Sequence, residues 1–279
     1  MIWLLACATE EPIPTSADEG LLVTDLQSYE ALTEAVPTLR DGAHGLIKLL
    51  AEHEVRGSHD DEAVSGSYVT KGTASLVVHG GDWYAVTARH VVLPNAKTEV
   101  LTLPSEEEGE FDEVFFDRVD GLGTEVAIGS LGVHATSFAF SQTADVAVLA
   151  IAEGDRNAVL AAMEPFANKP LRLAGGEATA GAEVEAWGFP ARTHPQVERV
   201  AISSVREGFF IVNRPLEPGF SGGPVLLSSG KAVGGIITRS DVDAGQSTVL
   251  VWPSLPLESA VHIESPGEGE FLGLAVTLR

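Results

Sequence analysis

Short runs rich in β-branched and aromatic residues, each cut off by glycine, proline or polar turn residues, recur from about Val64 onward. That cadence limits the chain to an all-β fold of short strands. Ser67–Thr70 and Thr73–Val78 are followed by the turn Gly80-Gly81-Asp82 and a third run, Trp83–Thr87. Further runs lie at Glu125–Ile128, Ala135–Phe140, Val146–Ile151, Leu171–Leu173, Glu183–Trp187 and Val197–Val205. Gly208–Val212, Pro224–Leu227, Ala232–Thr238 and Thr248–Trp252 complete the series. A connector at residues 155–170, with a short helical piece at Asn157–Met163 and Pro165 and Pro170 behind it, separates two halves. Twenty-nine glycines and fifteen prolines supply the turns, and a hydrophobic content of 44% is enough for a real core.

The N-terminal stretch reads differently. Leu26, Tyr29, Leu32 and Val36 recur at helical spacing with Pro37 as a stop, and Gly45–Val55 carries Leu46, Ile47, Leu49 and Leu50. Residues 21–63 are therefore expected to form a helical extension. His53, His59, Asp60, Asp61 and Glu62 within it match no metal-ligand spacing and read as a charged, solvated linker. The acids from Glu106 to Asp117 lack the glycine-punctuated pattern of a calcium loop and read as a solvated loop. No metal and no cofactor is expected.

A formal charge of −23 excludes DNA and RNA as partners, because their phosphates would be repelled. With Cys7 as the one cysteine, no intramolecular disulfide can form. No apolar run approaches the roughly 18 residues that span a bilayer. Leu4-Leu5-Ala6-Cys7 resembles a bacterial lipobox, in which the cysteine is lipidated, and Thr9–Gly20 resembles a flexible tether. The apolar part is too short for a signal sequence and carries no Lys or Arg. Either the true start lies upstream, with membrane attachment through a lipid on Cys7, or the likeness is chance. The corresponding expectation is a lipid-anchored protein of the bacterial envelope, or a secreted one.

Three local patterns carry chemistry. Thr87-Ala88-Arg89-His90 puts a histidine just past a strand, and Ala144-Asp145-Val146 puts a carboxylate at the head of another. Pro218-Gly219-Phe220-Ser221-Gly222-Gly223-Pro224 sets a serine among glycines and prolines, whose backbone can hold an unusual shape. A serine hydroxyl is a poor nucleophile without a base and an anion-stabilising pocket beside it. Alone, each has a plainer reading: a core or surface histidine, a strand-initiating turn aspartate, a glycine-rich turn.

Together, in this order, they resemble the trypsin-like serine peptidases, especially the bacterial disulfide-free branch related to the HtrA proteases. The resemblance covers roughly residues 64–255. It implies two packed six-stranded antiparallel β-barrels, residues 64–165 with His90 and Asp145 and residues 166–255 with Ser221. Residues 1–20 would be signal and tether, residues 21–63 the helical extension, and residues 256–279 a C-terminal extension with one strand at Phe271–Leu278. The implied roles are Ser221 as nucleophile, His90 as general base and Asp145 as its orienting acid. The N–H groups of Gly219 and Ser221 would form the oxyanion hole.

Departures from the family pattern shape the expected specificity. Phe220 stands where zymogen-activated relatives hold an aspartate, so that activation route is unsupported. Pro215 stands where trypsin holds its pocket aspartate, which removes the electrostatic basis for Arg or Lys specificity. Thr238-Arg239-Ser240 would form the pocket's edge strand, with Ser240 in place of a frequent glycine, implying a small or medium apolar P1 residue. Substrates would be proteins or peptides. An inactive binding module on the same fold, or an esterase using the same three residues, are the alternative readings; the oligomeric state is not readable.

Overall fold

The computed structural model describes residues 46–79, 82–93, 100–104, 111–129, 132–162, 178–190, 195–227, 235–251 and 261–279. Cys7, the tether, the Leu26–Val36 segment and the Leu171–Leu173 run lie outside them, as do residues 105–110 of the acidic stretch.

The first half is built on a long hairpin, β1 (Leu46–His59) and β2 (Glu62–His79), paired antiparallel over its whole length. Its turn is Asp60-Asp61, both with positive φ (49° and 63°). β3 (Asp82–Thr87) follows on β2 and runs into the one-turn helix α1 (Arg89–Val92). β4 (Val100–Pro104) and β5 (Phe111–Phe115) form a separate hairpin. Then come β6 (Arg118–Ile128), β7 (Val133–His134), β8 (Ser137–Phe140) and β9 (Ala147–Ile151), a 3-10 turn, and α2 (Arg156–Ala162) as the expected helical connector.

The second half comprises β10 (Glu183–Gly188), β11 (Gln196–Arg206), β12 (Phe209–Val212), β13 (Pro224–Leu227), β14 (Gly235–Asp241) and β15 (Gln246–Val251). These six close into the expected barrel, in the order β10-β11-β12-β15-β14-β13. The chain then returns to the first half with β16 (Val261–Glu264), β17 (Gly267–Phe271) and β18 (Leu274–Leu278).

Two expectations are corrected here. Residues 46–55 are not helical: Leu46–His59 is strand β1, paired with β2 and with β6. Its buried residues alternate, with Ile47, Leu49, Ala51, His53 and Val55 inward and Glu52 and Arg56 outward, the period of a strand. Leu50 sits on the exposed face and masks that alternation in the sequence. His53 accordingly belongs to the core and not to a solvated linker. Its Nε2 lies 2.9 Å from Thr70 Oγ1, and burial lowers its pKa to about 3, so it is neutral.

The C-terminal residues likewise form three strands where one was expected, because Leu272-Gly273 breaks the Phe271–Leu278 run with a positive-φ turn (49° and 79°). β18 pairs parallel with β6, and β16 pairs with β8. With β1 inserted between β2 and β6 and the C-terminal strands at both ends, the first half is a ten-stranded sheet in the order β16-β8-β9-β3-β2-β1-β6-β18-β17, with β7 beside β6. The ends of that path, β16 and β17, are consecutive strands joined only by Ser265-Pro266, so the sheet curls back on itself.

Each half has its own core. Ile47, Leu122, Phe138, Phe140, Leu149, Phe271 and Val276 belong to the first, and Val184, Ile202, Phe210, Phe220 and Val249 to the second. A small third cluster lies between them: Val86 and Val146 from the first half meet Ile236 and the partly buried Leu250 from the second.

Phe271 measures how firmly the C-terminal strands are built in. It is 5% exposed, meets the Phe140 ring edge-on at 5.7 Å between centroids, and carries the Arg89 guanidinium 4.5 Å above its ring. Truncating a buried phenylalanine costs about 3–5 kcal/mol. Phe271→Ala is expected to lower the unfolding free energy measured in urea by that amount with an unchanged m-value; a loss below about 1 kcal/mol would show these strands to be peripheral.

Candidate active site

β3 delivers the histidine. The strand ends at Thr87, and α1 turns the chain so that His90 faces the loop before β9. Asp145 grips it at two points: Oδ1 accepts the backbone N–H of His90 at 2.9 Å, and Oδ2 lies 2.7 Å from Nδ1. An ionised carboxylate only accepts hydrogen bonds, so Nδ1 carries the proton and Nε2 keeps a lone pair. Burial alone would lower the His90 pKa, but the charge and hydrogen bonds of Asp145 outweigh it and raise the value above that of an ordinary histidine. The same contacts, with Arg89 adding to them, outweigh burial at Asp145 and hold its carboxyl below the usual range.

The loop carrying Asp145 is itself clamped. Ser141 Oγ accepts the N–H groups of Thr143 and Ala144, a local turn of the kind serine favours. The Arg89 guanidinium donates to the carbonyls of Ser141 (2.6 Å) and Ala144 (3.0 Å) while resting on Phe271. Arg89 thus joins the histidine's own helix to the aspartate's loop. Sequence reasoning passed it over; the available signal was a cation placed between a buried strand and the histidine.

Ser221 is half-buried and comes from the second half. Its loop is a chain of tight turns, with Phe220 N–H to Glu217 (3.2 Å) and Gly223 N–H to Phe220 (2.8 Å). It rides on β14 through Gly222 N–H to Ile237 (2.7 Å) and Ile237 N–H to Gly223 (3.0 Å). Gly219 and Gly222 have φ of +102° and +83°. A side chain at Gly219 would strike the Phe189 carbonyl, and one at Gly222 would strike Thr73 and Thr87. Phe220, fully buried, pins the loop into the second core.

That packing brings Gly222 against Thr87 and Ala88, the residues leading into His90. Among the described residues no hydrogen bond joins Ser221 Oγ to His90, and the N–H groups of Gly219 and Ser221 have no acceptor. Catalytic hydrogen bonds are often long before substrate binds. Two unpaired, neighbouring N–H donors beside a serine can receive the oxygen of a carbonyl under attack.

The expected specificity residues lie together at the end of the second barrel. Pro215 is exposed, next to buried Leu216; Thr238 is largely buried on β14; Arg239 and Ser240 are exposed. Ser247 on β15, not anticipated from the sequence, ties them together. Its Oγ accepts the Leu216 N–H (2.9 Å), donates to the Arg214 carbonyl (3.0 Å) and lies 3.0 Å from Ser240 Oγ.

The trypsin-like peptidase domain family matches residues 72–234, more than half of the chain. No curated protein sequence matches it. Among solved structures it is similar to the active form of the Rv3671c protease from M. tuberculosis, at 18% identity over 90% of this chain and 91% of that one (TM-score 0.45). It is also similar to the serine endoprotease from Yersinia pestis, at 19% identity over 76% of this chain and 60% of that one (TM-score 0.40). The domain match spans the strand before His90, the loop of Asp145 and the turn of Ser221, and this chain belongs to the family of trypsin-like peptidases.

Proposed function

We propose that this serine peptidase works through a triad of Ser221, His90 and Asp145 and a covalent acyl-enzyme. The observation that carries the reading is the two-point grip of Asp145 on His90, which leaves Nε2 as the free base. Ser221 Oγ attacks the scissile carbonyl carbon as its proton passes to Nε2. The carbonyl oxygen becomes an oxyanion and is received by the N–H groups of Gly219 and Ser221, each contributing about 2.7–4 kcal/mol. The tetrahedral species collapses, the C–N bond breaks, and the imidazolium gives its proton to the leaving amine. Water, deprotonated by His90, then attacks the ester carbonyl and releases the acid and free Ser221. Asp145 stays ionised throughout, fixing the tautomer and stabilising the imidazolium.

The specificity we infer is for small or medium apolar P1 residues. Pro215 offers no charge to a cationic side chain, and the Ser240–Ser247–Arg214 connection ties the edge of β14 to the segment that carries Pro215.

Ser221→Ala is expected to lower kcat about 10⁶-fold with an unchanged urea midpoint and no labelling by a fluorophosphonate. Peptide hydrolysis persisting at the wild-type rate in that variant would remove Ser221 from the mechanism. Because His90 must be neutral to act as base and its pKa is raised, kcat/KM should climb with pH through a midpoint above about 6.5. An acid limb centred below that value contradicts the His90–Asp145 assignment. In a peptide library, cleavage should favour Ala, Val or Leu at P1, and a strong preference for Arg or Lys would refute the pocket reading.

A further inference from the structure

We propose that Thr73 is the positioning residue of the oxyanion loop, acting across the boundary between the two halves; this rests on the mechanism just proposed. Thr73 lies on β2 of the first half and is fully buried. Its backbone N–H donates to the Ser221 carbonyl at 2.9 Å. Its hydroxyl donates to the Gly219 carbonyl at 2.7 Å and accepts the Phe189 N–H at 2.9 Å. One residue therefore holds the carbonyls of both residues whose N–H groups form the oxyanion hole, and fastens them to the end of β10. Its own carbonyl accepts the Thr87 hydroxyl at 2.7 Å, which ties it to the strand that delivers His90.

The hydroxyl has no freedom in this arrangement. Phe189 offers only a donor and Gly219 only an acceptor, so the proton must point to Gly219. Gly219, with φ of +102° and no side chain, has little else to hold it in place. The Gly219 carbonyl and the Gly219 N–H flank one Cα, so anchoring the carbonyl restrains the rotation about the glycine's own bonds that would swing its N–H away from the developing charge. Stabilisation of an oxyanion depends on donors already aimed at the place where charge appears.

The experiment compares wild type, Thr73→Val and Thr73→Ser for urea unfolding, peptide hydrolysis and affinity for a peptide boronate. The boronate carries the best-cleaved P1 residue, and its tetrahedral adduct with Ser221 presents an oxygen to the hole. Valine keeps the shape and the backbone N–H but removes the hydroxyl. Thr73→Val is expected to lower kcat about 10–100-fold with KM changed less than about threefold, and boronate affinity should fall by the same factor as kcat/KM. Thr73→Ser should restore all three.

A purely structural role would lower the unfolding midpoint without dividing kcat from KM or following boronate affinity. Unchanged kcat and boronate affinity in folded Thr73→Val would overturn the proposal. If Thr73→Val does not fold, Thr73→Ser still decides it, since a tenfold loss of kcat with the hydroxyl present also overturns it. Fluorophosphonate labelling separates the two levels. An unlabelled wild-type enzyme defeats the acyl-enzyme mechanism and the clamp together, whereas a labelled wild type with an indifferent Thr73→Val defeats the clamp alone.

Discussion

The geometry of this enzyme depends on how two separately built halves are held in register. His90 and Asp145 stand on the first core and Ser221 on the second. Neither core by itself fixes the distance between His90 and Ser221. Apolar contact among Val86, Val146, Ile236 and Leu250 brings the halves together, yet dispersion is non-directional and tolerates sliding. Hydrogen bonds are directional, and those centred on Thr73 cross the same boundary. In the buried seam an unpaired partner would cost about 1–3 kcal/mol, so slippage is penalised at several points at once.

The acid side of the site follows a related plan on a smaller scale. Asp145 is fixed by the residue it serves, and its loop is fixed by the residue beside that one, since Arg89 reaches Ser141 and Ala144. Arg89 in turn rests on Phe271 from β17. Side chains from three distant stretches thus converge on the loop of one carboxylate, whose pKa is held down by His90 with Arg89 adding to it.

What was legible in the sequence was local pattern and its order. His90, Asp145 and Ser221 each had a plainer reading alone and stood out only through their order along the chain, although the strand ends, turn residues and glycines around them are short-range demands on the backbone. The strands of the second barrel were legible from such short-range demands. β1 was misread because Leu50, an exposed leucine, filled a gap in the alternation and imitated a helical stripe. The β17–β18 turn was hidden inside an apolar run. Thr73, Arg89 and Ser247 were not legible as part of the site, because their work consists of long-range contacts: Thr73 meets Gly219 across 146 positions of chain. Nothing in the few residues around a threonine on a strand tells which carbonyl its hydroxyl will find.

The return of the chain to its first sheet bears on the order in which the site is assembled during synthesis. β6 and β8 are made early, but their partners β18 and β16 follow the whole of the second barrel. Chains emerge from the N-terminus and domains fold as units, so a ribosome-bound chain could complete the second barrel while the first still shows open edges. Phe271, which supports Arg89 and through it the loop of Asp145, is made only after the whole of the second barrel. The Asp145 loop is therefore secured only after the Ser221 loop has been made. Topology alone thus sets the order in which the two parts of the site are assembled, with the Ser221 loop made before the support of the Asp145 loop.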